Sequence, residues 1–205
     1  HYLIFLFITL TTVAQQKNST KIGSYLFDNF SISKETYNIK SSVETNPNYD
    51  VYYIQQKFNN LEIHNAISTM SIKDGEIKSY SNRFIDEGYG KSSLLEPKID
   101  SYSAIDQALN ELNIREFKNS SDGWTHTNIN NIESKLIYVN KNGKLRLAWN
   151  FNVITTDHKN WYDIFVSADN GEILKTENWM INCEFDKDGN HTHSHSQNQI
   201  DNSLI

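Results

Sequence analysis

Val51-Tyr52-Tyr53-Ile54-Gln55-Gln56-Lys57-Phe58-Asn59-Asn60-Leu61-Glu62-Ile63-His64-Asn65-Ala66 decides how this 205-residue chain is read. Its first half is rich in β-branched and aromatic residues, which suit a pleated, half-buried strand. Asn59-Asn60 then stands between two such runs. Asn accepts positive φ more readily than most residues, so the pair predicts a tight hairpin turn. Leu61 to Ile72 reads as a long second strand. Lys73-Asp74-Gly75 supplies the next turn, and Glu76 to Phe84 a third strand. Tyr49 to Ile85 is thus predicted to be a three-stranded antiparallel meander.

Upstream, Gln15 to Asn48 is mixed. Ser19 or Thr20 can cap a short helix whose apolar side is Ile22, Tyr25, Leu26 and Phe30. Ser33-Lys34-Glu35-Thr36 reads as a polar turn, and Ile39 and Val43 fall in an extended piece. Downstream, Asp86 to Ser93 holds two glycines and two serines without apolar periodicity, which marks a linker. A helix follows. Pro97 precedes it, Asp100 or Ser101 caps it, and Ala104, Ile105, Ala108, Leu109 and Leu112 form one stripe. Ser134 to Val139, Leu145 to Ile154, Trp161 to Val166 and Glu172 to Leu174 then read as strands. Turns at Asn140-Lys141-Asn142-Gly143 and Asp169-Asn170-Gly171 separate them. Trp149 and Trp161 are expected to be substantially buried. The order is helix then meander, twice. That predicts an α+β fold of two small units, each a helix packed on an antiparallel β-meander.

The two ends differ from this body. Tyr2 to Leu10 is almost wholly apolar and closes on Thr12-Val13-Ala14. This suits a signal peptide over residues 1–14, truncated at its start, with cleavage before Gln15. The run is too short to span a membrane, which takes about 20 residues. Residues 181–205 read as a polar, His-rich linker without apolar period.

Composition narrows the function. Hydrophobic residues make up 38% and aromatics 12%, enough to fill a core. The net charge is -6 and no basic stripe interleaves with aromatics, so nucleic acid is not an expected partner. Cys183 is the lone cysteine, which leaves no intrachain disulfide.

The opening stretch resembles the fungalysin/thermolysin propeptide motif: a strand ending in Gln55-Gln56, a turn at Asn59-Asn60 where Gly is usual at the second place, then an aliphatic strand start. Asp74-Gly75 falls at that family's second turn. Leu147-Ala148-Trp149-Asn150-Phe151 and Trp161 to Ile173, with Asp169-Asn170-Gly171-Glu172, resemble the PepSY-like half of the same propeptides. The resemblance covers about Ile22 to Met180 and implies a cystatin/PepSY-like fold. It assigns 15–85 to a fungalysin/thermolysin-type unit, 86–93 to a linker and 94–180 to a PepSY-like unit. It further implies an intramolecular chaperone and inhibitor of a secreted zinc metalloendopeptidase. The partner would be the cognate protease domain in cis, with no membrane contact once the signal is removed. That domain, with its zinc, is expected beyond Ile205. A free-standing secreted inhibitor or binding module of the same fold is the alternative.

The chain itself carries no His-Glu-x-x-His, Gly-x-Ser-x-Gly or phosphate-binding glycine loop. No catalytic or cofactor-binding residue is therefore expected in it. His191, His193 and His195 alternate, and imidazoles so placed can bind a transition metal. Without a thiol or carboxylate beside them a solvated linker is the better reading. Cys183 could serve as a latch on the protease zinc, but no Arg-Cys-Gly pattern surrounds it, and an inert thiol is the plainer account. His64 reads as a sheet residue with its polar needs met.

Overall fold

The computed structural model describes residues 18–46, 49–85, 94–118, 125–126 and 128–180. The expected signal (1–14), linker (86–93) and tail (181–205), with Cys183, His191, His193 and His195, lie outside the described residues.

The first unit opens with a helix, α1, over residues 18–30. The antiparallel strands β1 (Tyr37–Asn46), β2 (Tyr49–Phe58), β3 (Leu61–Lys73) and β4 (Glu76–Ser81) follow in spatial order. The sheet has one strand more than predicted. The extra strand, β1, pairs with β2 from Tyr37–Gln56 to Asn46–Tyr49. Its polar sequence fits an edge, where one side of the backbone meets water. Both hairpin turns form with the left-handed geometry their residues allow: Asn59 and Asn60 at φ 47° and 62°, Asp74 and Gly75 at 52° and 75°. Ile22 and Leu26 of α1 are fully buried against Tyr37, Tyr52, Ile54, Met70 and Ile72. Each of those two aliphatic side chains contributes about 1.5–3 kcal/mol by leaving water.

Two details of α1 differ from expectation. The helix is already under way at residue 18, so Ser19 and Thr20 lie within it and do not cap it. Asn18 anchors the helix instead, its Nδ2 donating to Tyr52 Oη at 2.8 Å. Phe30 is 42% exposed and stays out of the core. Its ring packs on Tyr80 and Tyr25, at 5.0 and 6.0 Å between centroids. The helix ends because Ser31 turns left-handed, φ 56°, and its amide donates back to Phe27 O.

The second unit repeats the plan. α2 (Ser101–Glu111) is capped by Asp100, whose Oδ1 accepts from the Ser103 amide at 2.8 Å. It buries Ala104, Ile105, Ala108 and Leu109. Asn113 at φ 54° ends it, with the Ile114 amide donating to Leu109 O. The strands are β5 (Phe117–Lys118), β6 (Thr125–His126), β7 (Ser134–Lys141), β8 (Lys144–Thr155), β9 (Trp161–Ser167) and β10 (Ile173–Asn178). Strands β7 to β10 form an antiparallel meander. β5 extends the β7 side of β8, pairing Phe117 with Thr155. Phe151, Val153, Ile164 and Val166 meet α2 in the largest core cluster. Trp149 and Trp161 are half-buried. Trp149 Nε1 donates to Ile99 O at 3.0 Å, and Trp161 stacks on Trp179 at 5.4 Å.

One parallel bridge, Ile63 to Tyr138, joins the two meanders into a continuous sheet. Around it Ile63, Ala66, Tyr138, Leu145, Leu147 and Ala168 form a shared cluster. Ile85 and Leu94, either side of residues 86–93, both pack on that cluster. The fold is α+β, with each helix on an antiparallel meander.

Candidate functional site

The joint between the sheets is where the chain's least regular backbone gathers. Pairing of β2 with β3 runs regularly from Tyr49–Lys73 to Gln55–Ile67, then resumes at Lys57–Glu62. Four residues of β3, Ile63 to Ala66, therefore stand opposite the single residue Gln56. Asn65 takes φ 61° to make the excursion, and the strand bends there as bulged strands do. A bulge leaves backbone carbonyls without ladder donors, and a buried carbonyl left bare is costly.

Gln55 repairs this. Its side chain is 3% exposed. Nε2 donates to Ile63 O at 2.7 Å, Gln56 O at 2.9 Å and Ala66 O at 3.2 Å. Gln56 does the complementary work on the chain leaving β4. Its Nε2 donates to Ile85 O at 2.8 Å, and its Oε1 accepts from the Ile85 amide at 2.7 Å. A primary amide carries both donor and acceptor, so it can imitate one rung of a ladder. The two glutamines thus hold the bulge and the strand exit.

The bulge delivers two side chains to the second unit. Ile63 reaches Tyr138. His64 lies on the Phe165 ring of β9, 4.3 Å between centroids. Its Nε2 is 3.3 Å from Lys175 Nζ and 3.5 Å from Glu177 Oε1, while Lys175 and Glu177 pair at 2.6 Å. Burial, then the Lys175 ammonium, hold the imidazole below its usual range. At Glu177 burial pulls upward, but the Lys175 hydrogen bond and charge, with His64, win and lower it. Asp163 lies on the same sheet face and is 6% exposed. Burial raises its carboxyl, opposed by the hydrogen bond from Asn150 Nδ2.

The remaining positions singled out in the sequence serve turns and anchors. Asn59 Nδ2 donates to Leu95 O at 3.3 Å, drawing the chain beyond residue 93 onto the first hairpin. Asp169 pairs with Lys98 at 2.7 Å. Gly171 is left-handed, φ 80°, and a Cβ there would stand 1.5 Å from Gln107 Oε1 of α2. Gly75 sits in open space, with only Lys21 Nζ within 4 Å of such a Cβ. Asn152 Oδ1 and Trp161 Nε1 are buried without a hydrogen-bond partner.

Among the described residues no three His, Cys, Asp or Glu side chains gather as a metal site. No described helix is long and apolar enough to cross a membrane. The joint's chemistry is that of a shared apolar cluster with a titratable side chain, His64, beside it. Sequence reasoning named Gln55 and Gln56 as residues of the resembled motif, without the bulge they hold, and missed Phe165, Lys175 and Glu177 as partners of His64. No local signal could have found them.

Comparison with known proteins bears on the same region. No curated protein matches the chain. Among solved structures it is similar to the C-terminal domain of Bacillus megaterium YpeB, at 20% identity and a TM-score of 0.39 over 82% of this chain and 64% of that one. The chain thus spans just under two thirds of that structure's length. It is also similar to a candidate lipoprotein of Clostridium difficile 630, at 15% identity and a TM-score of 0.25 over 78% of this chain and 91% of that one. A family model matches residues 35–84, from the turn after α1 to the end of the first sheet. That model is the fungalysin/thermolysin propeptide motif, and the segment similar to it includes Gln55, Gln56 and the His64 bulge.

Proposed function

We propose that this chain is the propeptide region of a secreted zinc metalloendopeptidase precursor, acting as intramolecular chaperone and inhibitor of its protease domain. The match of residues 35–84 to the fungalysin/thermolysin propeptide motif carries the reading. The architecture is consistent with it: two cored units joined edge to edge offer broad surface for binding a folding partner. In this reading residues 1–14 direct export, 15–85 and 94–180 are the two propeptide units, 86–93 links them and 181–205 leads toward the protease. Zinc belongs to that protease domain. The globular units dock on it while the segment after Met180 crosses its cleft as an extended strand, where main-chain hydrogen bonds supply affinity.

The test uses Gln15 to Ile205, purified and mixed with the mature protease of the same precursor. Peptide hydrolysis should fall with added propeptide. Removal of Cys183 to Ile205 should weaken inhibition without unfolding the body, because two linked contacts raise effective concentration. An unchanged rate at large molar excess overturns the inhibitory role. The alternative, a free-standing inhibitor, is distinguished by the gene: a reading frame that runs on to His-Glu-x-x-His excludes it.

A further inference from the structure

His64 occupies the point where the two units touch, and its hydrogen bonding constrains its proton. An ammonium can only donate, so Lys175, 3.3 Å away, bonds Nε2 when that nitrogen carries a lone pair. The ring is then neutral, with its proton on Nδ1. Protonation places a hydrogen on Nε2 facing Lys175. The hydrogen bond becomes a contact between two cations. Glu177 Oε1, at 3.5 Å, favours the charged ring, but it is shared with Lys175 at 2.6 Å, and burial with the Lys175 charge outweighs it.

The other charged groups around the ring do not rescue it. Lys135 of β7 disfavours a second cation. Asp163 of β9 faces the same side, but burial holds its carboxyl toward the neutral form. On β3 itself, Glu62 is paired with Lys40. The ring is 14% exposed, so water screens little of this.

We propose that His64 makes the junction between the two sheets acid-sensitive: the neutral ring helps hold the β3 bulge on β9 and β10, and its protonation weakens that hold, so that the junction opens more often while each unit stays folded. The junction rests on side chains, the shared cluster around Ile63 and Tyr138 and the His64 contacts, more than on backbone pairing. A single bridge, Ile63 to Tyr138, carries the ladder from one sheet to the other. The cores under α1 and α2 are separate clusters that do not include His64. Burial and Lys175 lower the folded-state value of the ring. The open form therefore binds the proton better. The contact is at full strength above the ordinary histidine value of about 6.5 and weakens as pH falls from there through the lowered one. The inference does not depend on the propeptide reading, since it concerns the contact between two parts of one chain.

The experiment follows the whole chain by NMR and by hydrogen exchange, corrected for intrinsic rates, from pH 8 to pH 4.5. The His64 ring should titrate below the ordinary value. Protection at Ile63 and Tyr138 should fall in the same range, by about tenfold for each pH unit of depression once titration is complete. Amides of Met70 and Leu109, in the two separate cores, should keep theirs. His64→Gln should abolish the acid response at Ile63 and Tyr138. Lys175→Met should move the His64 titration to higher pH, an effect that packing alone would not produce, and it serves as the deciding variant if His64→Gln fails to fold. An ordinary His64 titration, an unchanged response in His64→Gln, or an unmoved titration in Lys175→Met would each overturn the proposal.

Discussion

The central ladders of the two sheets make an instructive pair. In the second unit β8 and β9 keep register without a slip from Ala148–Ser167 to Ile154–Trp161. Alternate residues then present one unbroken face to α2, and Phe151, Val153, Ile164 and Val166 pack there. In the first unit the equivalent pair, β2 and β3, slips at Gln55/Lys57 and sends four residues out of the ladder. The slip takes Ile63 and His64 away from their own sheet and gives them to the other. The regular ladder builds a core, while the broken one builds a core along its regular part, with Tyr52, Ile54, Met70 and Ile72 under α1, and a contact at its slip. The broken one also needs side-chain amides to replace backbone rungs, which is why the two adjacent glutamines matter there.

The comparison can be broken most severely on the regular side. Phe151→Ala removes a ring that is 1% exposed at the centre of the α2 core. It should cost about 3–5 kcal/mol, read by urea unfolding of the second unit. The broken side depends on Gln55. Gln55→Leu keeps much of the volume but bares the carbonyls of Ile63 and Ala66, and should cost about 2–3 kcal/mol. Gln56→Leu should cost about 1 kcal/mol in the same assay, because Gln56 is only half-buried and water can replace its side chain at Ile85. Equal losses for the two glutamines would mean that the bulge is not the costly element.

The turns sharpen the contrast at smaller scale. Gly75 and Gly171 both have positive φ, so Ala at either carries backbone strain of about 1–2 kcal/mol. Only Gly171 lies against a helix, where Gln107 must swing aside for a Cβ. Gly171→Ala should therefore melt below Gly75→Ala in thermal unfolding. If the two variants melt together, Gln107 moves freely and the close approach to α2 counts for nothing.

What the sequence made legible was local. The turns at Asn59-Asn60, Asp74-Gly75 and Asn142-Gly143 could be placed because left-handed backbone demands particular residues, and all these positions have positive φ. The α2 stripe could be placed because its spacing has one helical face. β1 was legible only as an extended piece, since a polar edge strand such as Tyr37–Asn46 lacks the alternation that marks a half-buried one. β5 and β6, at two residues each, fall below any period. The joint was not legible at all beyond Gln55 and Gln56. His64 meets Lys175 across 111 positions, and nothing in either neighbourhood announces the other. Nor did the sequence reveal that Ser31 and Asn113 end the helices where glycine is the usual residue.

The finest probe of the comparison is Asp163, a buried acid on the regular ladder beside the joint. Burial raises its carboxyl above the unfolded value of about 3.9, with the Asn150 hydrogen bond and the lysines opposing. The sign follows from linkage. A raised folded-state value means the folded chain binds the proton better than the unfolded one. The stability this group contributes is fully present below the unfolded value and is lost as pH rises through the folded one. Asp163→Asn keeps an oxygen to accept from Asn150 and removes the charge. The variant should match the parent chain in Tm near pH 3, pull ahead as pH rises through the folded-state value, and hold a constant small lead at neutral pH. Thermal melts of the two proteins from pH 3 to pH 7 measure it. A parent chain that is the more stable at pH 7 would show that Asp163 is ionised and paired with Lys175 or Lys135, so that the regular ladder carries a stabilising charge pair beside the joint.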